Sequence, residues 1–183
     1  MSGPPTAPQV PAPVVVVMGV SGAGKSTLVT ALAARLGWAR QDGDDLHPAE
    51  NVEKMRRDQP LTDADRAPWL AAVRQWIDAR RAENVPCLLA CSALKQSYRE
   101  EIRAGRPGLR FVWLTGDREI LHRRLAQRTG HFAAPQMLDS QLTTLEPPAP
   151  QEGVIAVDIA LSTEAQVERV LQALGVRVWS APA

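Results

Sequence analysis

Short apolar runs alternate with longer stretches in which apolar residues recur every three or four positions. The first run, Val14-Val15-Val16-Val17-Met18, is unbroken, as in a strand buried on both faces. A weaker one lies near Trp38-Ala39-Arg40. Clearer ones follow at Pro86-Cys87-Leu88-Leu89-Ala90-Cys91, Leu109-Arg110-Phe111-Val112-Trp113-Leu114 and Val154-Ile155-Ala156-Val157-Asp158-Ile159. Helical spacing fills the intervals. A helix is predicted from about Lys25 through Leu36, and Pro48 opens a short one over Ala49–Arg57. Trp69, Leu70, Val73, Trp76 and Ile77 share one stripe, with Pro68 placed in the first turn of that helix. Further helices are expected over Lys95–Ala104, Asp117–Gln127, Gln136–Leu145 and Thr163–Leu174. The last carries Val167, Val170, Leu171 and Leu174 at i, i+3, i+4 and i+7 behind a Ser162 cap. Strand–helix alternation predicts right-handed βαβ units, hence a single α/β domain whose mainly parallel sheet is covered on both faces.

Residues 14–175 contain no internal repeat and no linker, and the Pro147-Pro148-Ala149-Pro150 cluster reads as a connection that stops a helix. Residues 1–13 hold five prolines and no charged side chain, which reads as a disordered Pro-rich leader rather than a signal peptide. Residues 176–183 are taken as a C-terminal tail. No apolar stretch approaches a membrane span, so a soluble, cytoplasmic protein is expected.

Directly after the first strand comes Gly19-Val20-Ser21-Gly22-Ala23-Gly24-Lys25-Ser26, followed by Thr27. Strand, glycine-rich loop and helix in this order form a phosphate loop. Its backbone N–H groups and the helix N-terminus cradle anionic oxygens. Lys25 is placed to reach the β- and γ-phosphates and the Ser26 hydroxyl to ligate Mg²⁺. Binding of a nucleoside triphosphate follows.

In parallel α/β sheets ligands gather at the carboxyl ends of the strands, which directs attention to the segments after each run. The second run leads into Gln41-Asp42-Gly43-Asp44-Asp45-Leu46-His47-Pro48. Three carboxylates in four residues suit a divalent ion and an acceptor hydroxyl, with one carboxylate orienting that hydroxyl and taking its proton. They equally suit a solvated turn or a helix cap, the reading that fits Asp45 and His47. Lys54, Arg56 and Arg66 are candidate anion contacts; alternatively Asp63 or Asp65 caps the Trp69 helix and Arg66 pairs locally. The third run ends in Cys91-Ser92-Ala93-Leu94-Lys95 without the aspartate that often follows this strand, which strengthens Asp42 or Asp44 as the metal-facing carboxylate. Arg124 and Arg128 fall on one helical face ahead of Thr129-Gly130-His131-Phe132, either a lid over the phosphates or a solvated face.

Net charge is +1 from 21 basic and 20 acidic residues. Without a long basic run, nucleic acid and membrane surfaces are not expected as partners. Cys87 and Cys91 are the two cysteines and read as core packing. An Asn-Lys-x-Asp guanine motif and an Asp-x-x-Gly switch are both absent, which argues against a regulatory GTPase. Another small-molecule kinase and a non-catalytic nucleotide binder remain as alternatives.

Taken together, the segments resemble the gluconokinase family of small phosphate-loop kinases. The resemblance runs from Val14 to about Ile159. It rests on the phosphate loop, Asp-Gly-Asp-Asp-Leu-His-Pro, Asn51 with Lys54-Met55, and Pro60-Leu61-Thr62-Asp63 with Asp65-Arg66 and Pro68-Trp69-Leu70. Cys91-Ser92-Ala93-Leu94-Lys95 with Tyr98-Arg99, Arg124, Arg128, Gly130-His131-Phe132, Ser140-Gln141 and Leu145-Glu146-Pro147 continue it. Two positions depart: Ala23 stands where the family often has Ser or Cys, and Asp58 where it commonly has Gly.

The resemblance implies a nucleoside-kinase-like fold with a five-stranded parallel sheet flanked by helices and a lid. It implies transfer of the γ-phosphate of ATP to the 6-hydroxyl of D-gluconate with Mg²⁺, often by a homodimer. It assigns nucleotide contacts to Gly19, Ser21, Gly22, Ala23, Gly24, Lys25, Ser26 and Thr27, and the metal to Ser26 and Asp42. Asp44 becomes the group that meets the acceptor hydroxyl, as in the similar shikimate kinases, and Lys25, Arg124 and Arg128 the cations on the transferring group. Lys54, Arg66, Ser92 and Lys95 are the remaining candidate gluconate contacts.

Overall fold

β1 (Val14–Met18) is buried along its whole length, and its side chains alternate between two halves of the core. Val15 and Val17 face one side with Leu28, Leu32, Leu88, Val112 and Val170. Val14, Val16 and Met18 face the other with Trp69, Val73, Ile77, Leu89 and Phe111. A strand with side chains buried on both faces has to lie inside a parallel sheet sandwiched by helices, and β1 does. The computed structural model describes residues 11–57, 59–127 and 135–176.

The strands β1, β2 (Ala39–Asp42), β3 (Cys87–Ala90), β4 (Arg110–Thr115) and β5 (Ile155–Asp158) form one sheet in the order β2-β3-β1-β4-β5. Every neighbouring pair is parallel. Helices α1 (Lys25–Leu36) and α7 (Thr163–Leu174) pack together on the Val15 face, with Leu121 and Leu125 of α5 (Arg118–Ala126) and Leu138 of α6 (Pro135–Thr144). On the Val14 face lie α3 (Asp63–Ala82) and α4 (Gln96–Arg103); α2 (Ala49–Arg56) bridges β2 to α3. The chain leaves β1 toward β2 on one side and later returns to β4 on the other. The crevice for a ligand therefore opens at the carboxyl end of β1.

The elements agree with the sequence periodicity to within a residue or two, and α7 matches it residue for residue. Two differences have physical causes. β2 starts after Trp38 and extends to Asp42. As an edge strand pairing with β3 alone, it exposes Arg40, buries no side chain fully and shows little apolar signal. α3 starts at Asp63, so Pro68 lies in its second turn rather than its first. The earlier start is set by a capping box, in which the Thr62 hydroxyl accepts from Asp65 N and the Asp65 carboxylate accepts from Thr62 N. Cys87 and Cys91 are both buried free thiols on the Val14 face. Burial raises them to about 11 and about 12 respectively, so both stay protonated and act as core residues. No described helix is long and apolar enough to cross a membrane.

Candidate active site

The phosphate loop turns sharply away from the sheet at Gly19, whose φ is +147°. A Cβ there would lie 2.9 Å from Leu114 O, so only glycine allows the loop to pass this close to β4. Gly24 (φ +96°) precedes α1, and neither a capping side chain nor an acidic residue occupies the helix's first turn. The N–H groups at this end are left for an anionic ligand. Lys25 Nζ lies 3.1 Å from Val20 O, curled over the loop.

Facing the loop is the acidic turn. Asp42 ends β2, and its two carboxylate oxygens have separate tasks: Oδ2 accepts from the Ser26 hydroxyl, and Oδ1 accepts from Asp44 N at 3.1 Å. Ser26 and Asp42, sixteen residues apart in sequence, are thereby brought into contact. The turn between Asp42 and Leu46 is locked against β3, because a Cβ on Gly43 would stand 2.6 Å from Ala90 O. Gly43 O also accepts from Trp69 Nε1 at 2.7 Å. Asp44 is thus presented on a rigid support. Asp45 is turned away, with its carboxylate 3.4 Å from Gln41 Nε2.

Lys25 and Asp44 line one cavity of about 300 Å³ together with Ser21, His47, Arg66, Trp69, Ser92 and Gln141. Five chain segments supply these side chains. Among the described residues Arg66 has loose partners, the Tyr98 hydroxyl at 3.5 Å and Asp63 at 3.9 Å, which leave most of its donors without a described acceptor. Ser92 stands in the turn after β3, where Ala93 has φ +41°. Arg99 braces that turn by donating to Ala93 O at 3.3 Å and Leu94 O at 3.1 Å.

Lys54 and Lys95, the other two expected gluconate contacts, do not line the cavity. Lys54 Nζ is 2.6 Å from Asp65, whose carboxyl is lowered to about 2 chiefly by that lysine and then by Thr62. Lys95 Nζ is 2.8 Å from Asp63, whose carboxyl is lowered by Lys95 and then by the Tyr98 hydroxyl. Both lysines therefore anchor the start of α3 at the cavity wall. Arg124 lies against the outer side of the phosphate loop: Nη2 donates to Ile159 O at 2.6 Å and Nη1 lies 3.5 Å from Ala23 O. Arg128, the Gly130-His131-Phe132 segment and Asp58 fall outside the described residues.

Two cavity residues were not expected as site residues: the sequence suggested a turn or cap for His47 and only a place in the family pattern for Gln141. Gln141, on α6, accepts from Ser21 N at 2.6 Å, joining α6 to the phosphate loop. His47 stacks on Trp69 with ring centroids 4.7 Å apart. Nothing in their spacing announces this, because both contacts cross between segments distant in sequence.

A hard, oxygen-preferring cation suits the Ser26–Asp42 pair, which offers one hydroxyl and one carboxylate. No group of three or more His, Cys, Asp or Glu among the described residues could hold a metal alone. A divalent ion here would draw its remaining ligands from phosphate and water, as Mg²⁺ commonly does.

A family model described as an AAA domain matches residues 14–148. The gluconokinase of Gluconobacter oxydans is 52% identical over 142 residues, covering 78% of this chain and 80% of that protein. A sugar kinase from Janibacter sp. superposes with a TM-score of 0.86 at 42% identity, covering 91% of this chain and 96% of its own. A gluconokinase from Sinorhizobium meliloti superposes with a TM-score of 0.80 at 44% identity, over 90% and 92%. These likenesses span the phosphate loop, the acidic turn and the cavity between them, and the chain belongs to the gluconokinase family of phosphate-loop kinases.

Proposed function

We propose that this protein transfers the γ-phosphoryl group of ATP to the 6-hydroxyl of D-gluconate, giving 6-phospho-D-gluconate and ADP. The observation that carries the reading is the shared cavity. Lys25 of the phosphate loop lines it together with Asp44, Arg66 and Ser92. A phosphate-binding surface and an acceptor-binding surface thus meet across one space.

The loop amides and the start of α1 bind the triphosphate, and Lys25 offsets the charge on its outer oxygens. Asp44 accepts a hydrogen bond from the 6-hydroxyl, orients its oxygen toward the γ-phosphorus and takes its proton as the new P–O bond forms. Arg66, a guanidinium with donors to spare, pairs with the carboxylate of the sugar acid, and Ser92 meets one of its hydroxyls. Ser26 and Asp42 would hold Mg²⁺, which when bound neutralises phosphate charge. Arg124 fixes the nucleotide side of the loop, and Arg128 completes the clamp on the transferring group. The family resemblance further supports a cytoplasmic homodimer, which sedimentation of the purified chain tests.

The deciding assay is ADP formation by purified protein with Mg²⁺-ATP and, in turn, no acceptor, D-gluconate, shikimate and other sugar acids. Turnover dependent on gluconate, with 6-phosphogluconate as product, is expected. Turnover with a different acceptor alone would keep the kinase and overturn the substrate. Silence across the panel in ATP-binding protein would favour a non-catalytic nucleotide binder.

A further inference from the structure

One ring in the cavity has no task in phosphoryl transfer as described. His47 lines the cavity and lies on the Trp69 indole, with planes 8° from parallel. Trp69 is itself buried and tied through Nε1 to Gly43 O. The stack fixes the plane of the imidazole. It leaves open which nitrogen carries the proton.

Asn51 decides that. Its Nδ2 lies 2.7 Å from the backbone carbonyl of Asp65, a group that only accepts, so this end of the amide is the NH₂. The same NH₂ lies 3.3 Å from His47 Nδ1. A donor facing Nδ1 requires a lone pair there, which puts the ring proton on Nε2. Asn51 is 3% exposed and held at both contacts, so it has little freedom to turn. Burial lowers the His47 pKa, opposed by Asp44 and reinforced by Arg66, which favours the neutral ring at pH 7. Nε2 makes no hydrogen bond to any described residue, and the ring lines the cavity. His47 N donates to Asp44 O at 3.3 Å, so the ring and the Asp44 carboxylate belong to one turn.

We propose that His47 donates its Nε2–H to a hydroxyl or carboxylate oxygen of the sugar-acid acceptor, and that Asn51 is the positioning residue that holds His47 in this tautomer. The proposal rests on the gluconate reading above and adds a specificity contact to it. Asp44 can only accept from the acceptor, whereas His47 in this state can only donate. A polyol placed between them is fixed in direction as well as position.

The chain has three histidines, so ¹⁵N-histidine spectra can be assigned by single substitutions. Wild-type protein is expected to show His47 as the Nε2–H tautomer, with its Nε2 resonance moving on addition of gluconate. Asn51→Leu is expected to show a mixture of tautomers. His47→Phe keeps a ring on Trp69 but loses the donor. It is expected to raise KM for gluconate about tenfold, the worth of one hydrogen bond at the upper end of its range, without moving KM for ATP. His47→Gln, whose amide nitrogen can replace Nε2, recovers part of the loss. A wild-type KM in His47→Phe, or an Nδ1–H tautomer in the wild type, overturns the proposal. The spectra decide the matter if His47→Phe does not fold. Wild-type protein inert toward gluconate overturns the underlying reading instead, and is told apart because failure of the His47 proposal leaves wild-type turnover intact.

Discussion

The two walls of the cavity are built on different principles. On the nucleotide side the working groups are mostly backbone: loop amides made available by Gly19 and Gly24, plus the first turn of α1. Consecutive residues supply these amides, with Asp42 and Arg124 reaching the loop from elsewhere in the chain. On the acceptor side the working groups are side chains from the β2 turn, α3, the β3 turn and α6. Each depends on a support of its own: Gly43 against Ala90 beneath Asp44, Trp69 beneath His47, Arg99 beneath the Ser92 turn. A triphosphate is recognised by a surface that folds locally. Recognition of the acceptor requires the tertiary fold to be complete.

The sharpest way to break this comparison is to remove one group from each wall. Lys25→Ala should lower kcat on the order of 10³-fold or more through lost transition-state charge stabilisation. The slow hydrolysis of ATP without acceptor should fall with it. Asp44→Asn should lower gluconate phosphorylation by about 10²- to 10⁴-fold, the usual range for a general base, and leave acceptor-free hydrolysis and KM for ATP unchanged. Paired ADP-release assays with and without gluconate check both. Near-normal gluconate turnover in Asp44→Asn would remove it as the base and erase the division between the walls.

The same division explains what could be read from the sequence. The phosphate loop was legible because its function depends on eight adjacent residues and the strand before them. The sheet was legible because β1, β3 and β4 are buried on both faces and so carry continuous apolar runs. On the acceptor wall, Asp42 and Asp44 drew notice as a crowded acidic turn, yet spacing could not divide their roles. The fold adds that Asp42 is held on the Ser26 hydroxyl while Asp44 lines the cavity, which supports the proposed division. Lys54 and Lys95 show the opposite problem: charge next to a motif suggested ligand binding, whereas the fold brings each to an aspartate at the start of α3. Which cation meets a ligand and which meets a neighbour depends on contacts between residues 11 and 32 positions apart.

The support beneath the acceptor wall can be tested apart from its chemistry. Arg99 and Glu152 form a two-bond ion pair at 2.7 and 2.9 Å, with side chains 1% and 8% exposed. Glu152 also accepts from Ala149 N at 2.9 Å, so the pair ties the β3 turn to the segment that follows α6. Arg99→Met would strand a buried carboxylate and should cost about 3 kcal/mol of stability, read from the urea midpoint, together with a raised KM for gluconate as the Ser92 turn loosens. Its pH dependence has a definite sign. Arg99 holds the Glu152 pKa below the ordinary glutamate range, so the stabilisation is full above that range and is lost as pH falls through the lowered value. The gap between wild type and Arg99→Met should therefore narrow in acid. A constant gap would mean that Arg99 acts through its carbonyl contacts alone.

Gln141 belongs to both walls at once, and its removal should have the smallest effect of the four. Its Oε1 accepts from Ser21 N in the phosphate loop, while the residue sits on α6 beside the acceptor cavity. The hydrogen bond is neutral on both sides and joins groups that stay partly accessible, so its net worth is about 1 kcal/mol, or about fivefold in rate. What matters is where the fivefold falls. If α6 is only a roof over the acceptor, Gln141→Ala should raise KM for gluconate and leave kcat alone. If Ser21 N serves the triphosphate, and Gln141 merely holds that amide until phosphate arrives, KM for ATP should fall as a competitor disappears. A residue that couples the two walls does neither. It aligns acceptor and donor once both are bound, so kcat should fall about fivefold with both KM values nearly unchanged. Steady-state kinetics with each substrate varied in turn separates the three, and the contact from α6 to the loop favours the last.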